Sequence, residues 1–310
     1  MRAFALDAFG EPGSIHDLPD PEPAEGQVRV RVAAASLNPF DNAVLQGYLK
    51  EMMEHRFPLI PASDLAGTVD AIGTNVHGFA VGDSVFGASG KMFLGEGTLA
   101  ELTTASAGTI AKRPSSVSEI EAAALPLAGV SALMCVEAAA PKAKDVVVVV
   151  GASGGIGSYA TQLAAAAGAH VVGVTSKANV EYVKGLGAAE VIDREAGDVL
   201  EALKAKHDDG VAAIIDTASD APSLAHLSQA VRKGGAVISM KGAAGVDDLA
   251  KRGIKGINVQ TQVTTERLEH LADLAAAGKL KAPHTRTFSL EEAGEALKLL
   301  GHGGKLVVKV

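Results

Sequence analysis

Val-Val-Val-Val-Val-Gly-Ala-Ser-Gly-Gly-Ile-Gly, residues 146–157, decides how the rest of this chain is read. Five β-branched residues in succession predict a strand buried on both faces, and the glycines break it into a turn. An Ala-rich amphipathic segment follows at 158–167, closed by Gly168 where a helix C-cap is expected. A second apolar strand at 171–174 completes a strand-turn-helix-strand unit. There the helix N-terminus and free backbone N–H groups face the turn and suit a pyrophosphate. Glycine belongs at such a turn because a Cβ would hold the phosphates off the backbone. The spacing Gly151-x-x-Gly154-x-x-Gly157 is not the commonest one, and a structural glycine turn is the alternative. Its place between two strands predicts a dinucleotide site whose contacts are Gly151, Ser153, Gly154, Gly155, Ile156 and Gly157.

Working outward, the strand and helix rhythm continues. Apolar strands at 146–150, 170–174, 190–192, 212–215, 236–240 and 257–260 alternate with helical segments near 178–185, 198–206 and 221–232. That pattern predicts an α/β fold, a doubly wound parallel (Rossmann) sheet with ligands beyond the carboxyl ends of its strands. Upstream, residues 1–118 read as β-rich, with runs at 27–33, 65–72, 84–86 and 98–103 between Gly, Pro and Asp clusters. Composition turns helical over 119–140, around Pro126, which marks the domain junction. The tail carries amphipathic helices at 265–277 and 290–300 and a strand at 305–310, expected to return to the first domain. The expected division is therefore 1–120, 121–264 and 265–310.

With 310 residues, 47 % of them apolar, the chain has enough length for two domains. A formal charge of −8 argues against a nucleic-acid partner. Cys135 is the sole cysteine, which excludes an internal disulfide and points to a reducing compartment. The apolar runs are strand-length and the first ten residues lack a signal pattern, so the expectation is a cytoplasmic protein with no membrane span. The nine histidines show no ligand-like clustering, and His55 and His302 read as surface residues.

Several further stretches carry a family resemblance. They are Asn38-Pro39-Phe40-Asp41, residues 61–67 (Pro-Ala-Ser-Asp-Leu-Ala-Gly), Val81-Gly82-Asp83, residues 97–101 (Gly-Thr-Leu-Ala-Glu), residues 123–129 (Ala-Ala-Leu-Pro-Leu-Ala-Gly) and residues 303–310 (Gly-Gly-Lys-Leu-Val-Val-Lys-Val). Together with the glycine turn, they make the whole chain resemble the medium-chain dehydrogenase/reductase superfamily, in its zinc-free quinone oxidoreductase branch, related to zeta-crystallin. The resemblance implies that the sheet domain is inserted into a GroES-like β-rich catalytic domain. Zinc-containing relatives hold the catalytic metal with a cysteine and a Gly-His-Glu motif; here Asn38 and Ala62-Ser63-Asp64 stand at those positions, so no metal is expected. Cys135 reads as a buried structural thiol.

An NAD site places Asp or Glu at the end of the second strand. This chain reads Thr175-Ser176-Lys177 there, and a hydroxyl and an ammonium can receive a 2′-phosphate, so NADPH is the expected cofactor rather than NADH, with a solvated loop lysine as the alternative reading of Lys177. Arg194 is a candidate substitute for an aromatic contact that the family often has after the third strand. Asp216 and Lys241 follow the fourth and fifth strands, near the nicotinamide half; Asp216 reads equally well as a helix N-cap. The resemblance brings Lys305 to the cofactor, with a solvated tail lysine as the alternative, and Asn38 and Asp41 beside the nicotinamide. It also makes Tyr48 the candidate hydrogen-bond donor to the acceptor, with a rim residue as the alternative. Asp64 reads as a structural hydrogen-bond partner rather than a base. Residues 50–57, with Met52, Met53 and Phe57, are a candidate cover for the acceptor, and ordinary packing is an equal alternative.

The expected activity is hydride transfer to a quinone. An enoyl or alkenal reductase is the alternative, and a non-catalytic NADPH-binding structural or RNA-binding protein is the alternative of another class. Relatives suggest a homodimer joined at a sheet edge, for which 257–260 is the candidate.

Overall fold

The computed structural model describes residues 1–301 and 304–310; His302 and Gly303 lie outside the described residues. The chain divides into two units, Met1–Val130 with Val263–Val310 and Ser131–Gln262.

The first unit begins with the antiparallel pair β1 (Arg2–Ala5) and β2 (Ser14–Asp17). The long strand β3 (Gln27–Leu37) leads into helix α1 (Pro39–Leu45), where proline suits the first turn because its missing N–H would lack a partner anyway. Then come β4 (His55–Ile60), β5 (Asp64–Ile72), β6 (Ser84–Ala88), β7 (Leu94–Glu96), β8 (Leu102–Ser106), β9 (Ile110–Lys112) and α2 (Glu119–Ala124). Helix α2 starts at a capping box in which Ser118 and Glu121 bond each other's backbone N–H. Pro126 ends it and opens α3 (Pro126–Ala139), within which the unit boundary falls.

The second unit follows the predicted alternation: β10 (Val146–Val150), α4 (Gly155–Ala166), β11 (His170–Thr175), α5 (Val180–Gly185), β12 (Glu190–Asp193), α6 (Val199–Lys206), β13 (Val211–Asp216), α7 (Ala221–Leu227), β14 (Val231–Ser239), α8 (Val246–Lys251) and β15 (Lys255–Asn258). Its six strands are all parallel, in the order β12-β11-β10-β13-β14-β15. Val148, Val172, Ile214 and Val237 are wholly buried in its core, as continuous apolar strands covered on both faces require. Strand β15 is an edge.

The chain then re-enters the first unit with α9 (Thr265–Ala276), β16 (Thr285–Ser289), α10 (Ala293–Lys298) and β17 (Lys305–Lys309). The main sheet of that unit runs β16-β17-β3-β5-β6-β9, with β8 also on β3. The pairing of Leu306 with Leu37 sets Lys305 next to the C-terminal end of β3.

Three local expectations are corrected. Helix α4 starts at Gly155, not at 158, because the glycines themselves enter its first turn. The strand expected at 98–103 is β8, displaced to Leu102–Ser106; a Cβ on Gly97 would stand 2.1 Å from Pro61 O, so this stretch is a tight crossing before it is a strand. The helix expected to reach residue 232 ends at Leu227. Buried Val231 starts β14 instead, and Gly235 packs so close to Ala212 O that a Cβ would lie 2.6 Å from it.

Candidate functional site

At the end of β10 the chain turns through Gly151, whose φ of +77° is costly for any residue with a Cβ. Gly154 occupies the N-cap of α4 and offers no side chain to the first-turn N–H groups of that helix. Those donors have no intrahelical partner, and the helix dipole adds to their pull on an anion. The turn is tight because Gly157 lies against it: a Cβ there would be 2.1 Å from Gly151 O. Thr175 Oγ1 donates to Ser153 Oγ at 2.8 Å, tying the end of β11 to the turn.

The other predicted residues of the second unit gather at the same strand ends. Thr175 closes β11; Ser176 and Lys177 follow it, and the Arg194 N–H donates to Thr175 O at 2.9 Å. Ser176 Oγ accepts from Asn179 Nδ2 at 3.0 Å, while the Lys177 side chain is exposed. No acid stands between Thr175 and Asn179. Asp216 ends β13 and is wholly buried. Its Oδ1 accepts from Ser219 N and Ser219 Oγ, at 3.0 and 2.6 Å, while Oδ2 is buried without a hydrogen-bond partner. The cap of α7 falls to Asp220, which accepts from Ser223 N at 2.9 Å, so Asp216 is not a helix cap. Lys241 Nζ donates to Ala218 O at 3.0 Å and joins the loops after β13 and β14. Cys135 is buried with its Sγ 3.2 Å from Met240 Sδ; burial first, and Asp216 second, push its thiol up to about 12.

In the first unit, three charged side chains and an amide form a buried cluster. Asn38, Asp41 and Lys305 are at most 4 % exposed and Asp64 is wholly buried. Lys305 Nζ donates to Asn38 Oδ1 at 2.8 Å and to Leu37 O at 3.2 Å, and lies 3.5 Å from Asp64 Oδ2. Asn38 Nδ2 and Ser36 Oγ donate to the same Asp64 oxygen, at 2.9 and 3.1 Å, and Leu127 N–H reaches Asp64 Oδ1 at 3.1 Å. The Asn38 N–H donates to Asp41 Oδ2 at 2.7 Å. Burial depresses the Lys305 ammonium against the pull of Asp64 and Asp41, and it raises Asp64. Burial also pushes Asp41 up to about 7; the Asn38 N–H opposes this, Asp64 adds to it, and Lys305 opposes it.

That shift has a sign. Asp41 binds its proton more tightly in the folded protein than in the unfolded chain, so it contributes stability below about pH 4 that is lost as the pH rises through about 7. Asn in its place has no proton to lose and can still accept from Asn38 N–H. The melting temperature of Asp41→Asn minus that of the wild type should therefore rise by roughly 2–6 °C from pH 5 to pH 8. A difference independent of pH would exclude the ionised carboxylate as the cause.

Lys305, expected at the cofactor, thus makes its hydrogen bonds among the described residues inside its own unit and is buried, not a solvated tail lysine. Tyr48 follows α1 with its side chain 74 % exposed, the place of a rim residue. Residues Lys50 to His55 border an open depression of about 400 Å³, with Met52 exposed and Met53 packed on the core. Sequence reasoning missed that Ser36, Asn38, Asp41, Asp64 and Lys305 form one network. The available signal was polar residues at the end of the apolar run of β3. It also saw no histidine clustering, whereas the structure groups His170 and His207 around Glu190, because the parallel pairing of β11 with β12 brings His170 near Glu190 and the C-terminus of α6 brings His207.

Residues 155–275 match the family described as zinc-binding dehydrogenase, and residues 24–115 match the alcohol dehydrogenase GroES-like domain. The chain is 33 % identical to the chloroplast envelope quinone oxidoreductase homolog of Arabidopsis thaliana, over 100 % of this chain and 98 % of that one. It is 31 % identical to the 2-methylene-furan-3-one reductase of Solanum lycopersicum, over 99 % of this chain and 79 % of that one. Among solved structures, the quinone oxidoreductase of Coxiella burnetii superposes with a TM-score of 0.90 at 31 % identity, covering 100 % and 99 % of the two chains.

Proposed function

Because this chain belongs to the quinone oxidoreductase branch of the medium-chain dehydrogenase/reductase superfamily, an enzyme family that uses a nicotinamide cofactor, we propose that it reduces a quinone or similarly activated small molecule with NADPH, without a catalytic zinc. The observation that carries this reading is the Lys305 ammonium held against Asn38 and Asp64.

A zinc ion does not fit these residues. The Asn38 amide is committed on both its atoms, Asp64 already faces a cation, and the one cysteine is buried beside Met240 in the other unit. Without a Lewis acid, polarising an unactivated alcohol is difficult, and an electron-poor acceptor becomes the natural substrate.

A nicotinamide dinucleotide does fit the second unit. The turn that a Cβ on Gly157 would fill, the uncapped N–H groups of α4 and the unpartnered Asp216 Oδ2 are the features that support it. When bound, the cofactor supplies the hydride. The α4 N-terminus and Ser153 would hold its pyrophosphate, Ser176, Lys177 and Arg194 would hold the adenosine 2′-phosphate, and Asp216 and Lys241 would bound the nicotinamide half. By resemblance Asn38 and Asp41 would stand beside the nicotinamide as parts of the network fixed by Lys305, and Tyr48 would donate a hydrogen bond to the acceptor oxygen. Lys305 serves this reading by fixing the Asn38 amide.

The test of function is NADPH oxidation against a panel of quinones and a panel of enones. Turnover of quinones is expected. Turnover restricted to enones would favour the alkenal reductase reading, which the similarity to a furanone reductase also supports. Cofactor binding without turnover on either panel would favour a non-catalytic role. For the cofactor, Lys177→Glu should lower the NADPH to NADH preference by roughly 10–100-fold, the worth of one or two charge-assisted hydrogen bonds. An unchanged preference removes Lys177 from the phosphate site. Dimerisation along the β15 edge is the proposed assembly.

A further inference from the structure

The geometry points to a divalent transition-metal site of the zinc(II) class, formed by His170, Glu190 and His207 on the second unit at the strand ends opposite the glycine turn. His170 begins β11 and Glu190 begins β12, and the parallel register sets Val172 beside Glu190. His170 lies two residues before Val172, so it projects on the same face as Glu190. Helix α6 covers that face with Leu200 and Leu203, which share a core cluster with Val172, and His207 caps its C-terminus. Three elements therefore deliver one donor each to one place.

The donor atoms lie within 4.8 Å of one another. Glu190 Oε1 is 2.7 Å from His170 Nε2 and 3.3 Å from His207 Nε2. Ligands on a tetrahedral zinc with bonds of about 2.0–2.1 Å stand roughly 3.3 Å apart, so small side-chain adjustments seat the ion. His207 Nε2 is shut off from water and, among the described residues, meets only Glu190 Oε1 at 3.3 Å without hydrogen-bond geometry, a contact that a shared cation would improve. The second Glu190 oxygen is occupied by Lys206 Nζ at 3.0 Å, which leaves Oε1 as a single ligating atom and fixes the carboxylate plane.

Two imidazoles and one carboxylate select a borderline cation such as zinc(II) over magnesium or calcium, which take oxygen ligands. The His170 side chain is 38 % exposed, so a water can complete the tetrahedron. From His170 to Thr175 the strand advances roughly 16 Å, which separates this site from the cofactor end. The ion would pin the edge strand β12 and the end of α6 to β11. This role does not depend on which acceptor the enzyme reduces.

The test is calorimetric titration of the full chain, free of any affinity tag and dialysed against a chelator, with zinc(II). One zinc per chain is expected, along with a melting temperature raised by zinc. His207→Gln and Glu190→Gln should each weaken binding at least tenfold and abolish the thermal shift. His226→Gln, which changes an exposed pair with Asp198, should leave both unaltered. Circular dichroism reports whether each variant folds; where either does not, His170→Gln, at the most exposed of the three ligands, replaces it. Absence of zinc uptake by the wild type, or uptake by the ligand variants equal to wild type, overturns the site.

Discussion

Lys305→Met is expected to destabilise the first unit by about 3–5 kcal/mol at pH 8 and by clearly less at pH 5. Among the described residues the ammonium is the only cation in the cluster, and Asp64 and Asp41 lie buried around it. Removing one partner of such a group leaves uncompensated charge in a medium that cannot solvate it, and the loss exceeds what the intact pair contributes. The pH dependence follows from the carboxyls, both of which burial already raises. Without the cation they rise further, so at pH 5 they accept protons and much of the penalty disappears. Urea unfolding at the two pH values measures this. Adding Asp64→Asn to Lys305→Met should recover most of the loss at pH 8, because the carboxamide needs no counter-charge. A deficit equal at both pH values and unrelieved by the second change would mean that the lysine stem, not its charge, is what the cluster needs.

Gly157→Ala is expected to weaken dinucleotide binding at least roughly 100-fold, with a stability loss of about 1–3 kcal/mol. The added Cβ would stand 2.1 Å from Gly151 O, 2.7 Å from Gly151 C and 2.9 Å from Ala152 Cα. All three are backbone atoms, so relief requires the first turn of α4 to move away from the end of β10. That movement carries the phosphate-binding N–H groups with it. Gly154→Ala is the control: its Cβ would meet Gly151 O at 3.3 Å, tight but relieved by a shift of a few tenths of an ångström, and its φ of −76° suits alanine. Its melting temperature should stay near wild type. Fluorescence titration with NADPH and a thermal melt of each variant decide the matter. Wild-type affinity and melting in Gly157→Ala would show that close approach is not what the glycine serves.

What was legible in the sequence was local. The five valines, the glycines after them and Gly168 at the helix end each declare themselves within a few residues, and the parallel sheet grows from them. The run 98–103 was misplaced because alternating apolar residues look alike whether the backbone pairs at once or first crosses beneath Pro61. The buried cluster was only half visible. Asn38 and Asp64 are informative by their position, but no pattern along the chain says that Lys305 will lie 2.8 Å from Asn38. Nor does any spacing announce that β11, β12 and α6 will meet at Glu190. Such contacts belong to tertiary register, which periodicity does not encode.

The return of the chain to its first unit also sets an order of events on the ribosome. The second unit is one continuous segment, so it can collapse as soon as it emerges. The first unit must wait, because Lys305 meets Leu37 across 268 positions. Until β17 arrives, the nascent chain holds β3 at Ala34–Leu37 with one of its two edges open, the other being taken by β5, and two carboxyls with no cation to face. Such an open edge is where a half-made protein sticks to others, and contacts so distant in sequence form slowly. Chaperone dependence of this enzyme should accordingly follow the late strand, and lesions in its last residues should surface as poor yield before they surface as poor catalysis.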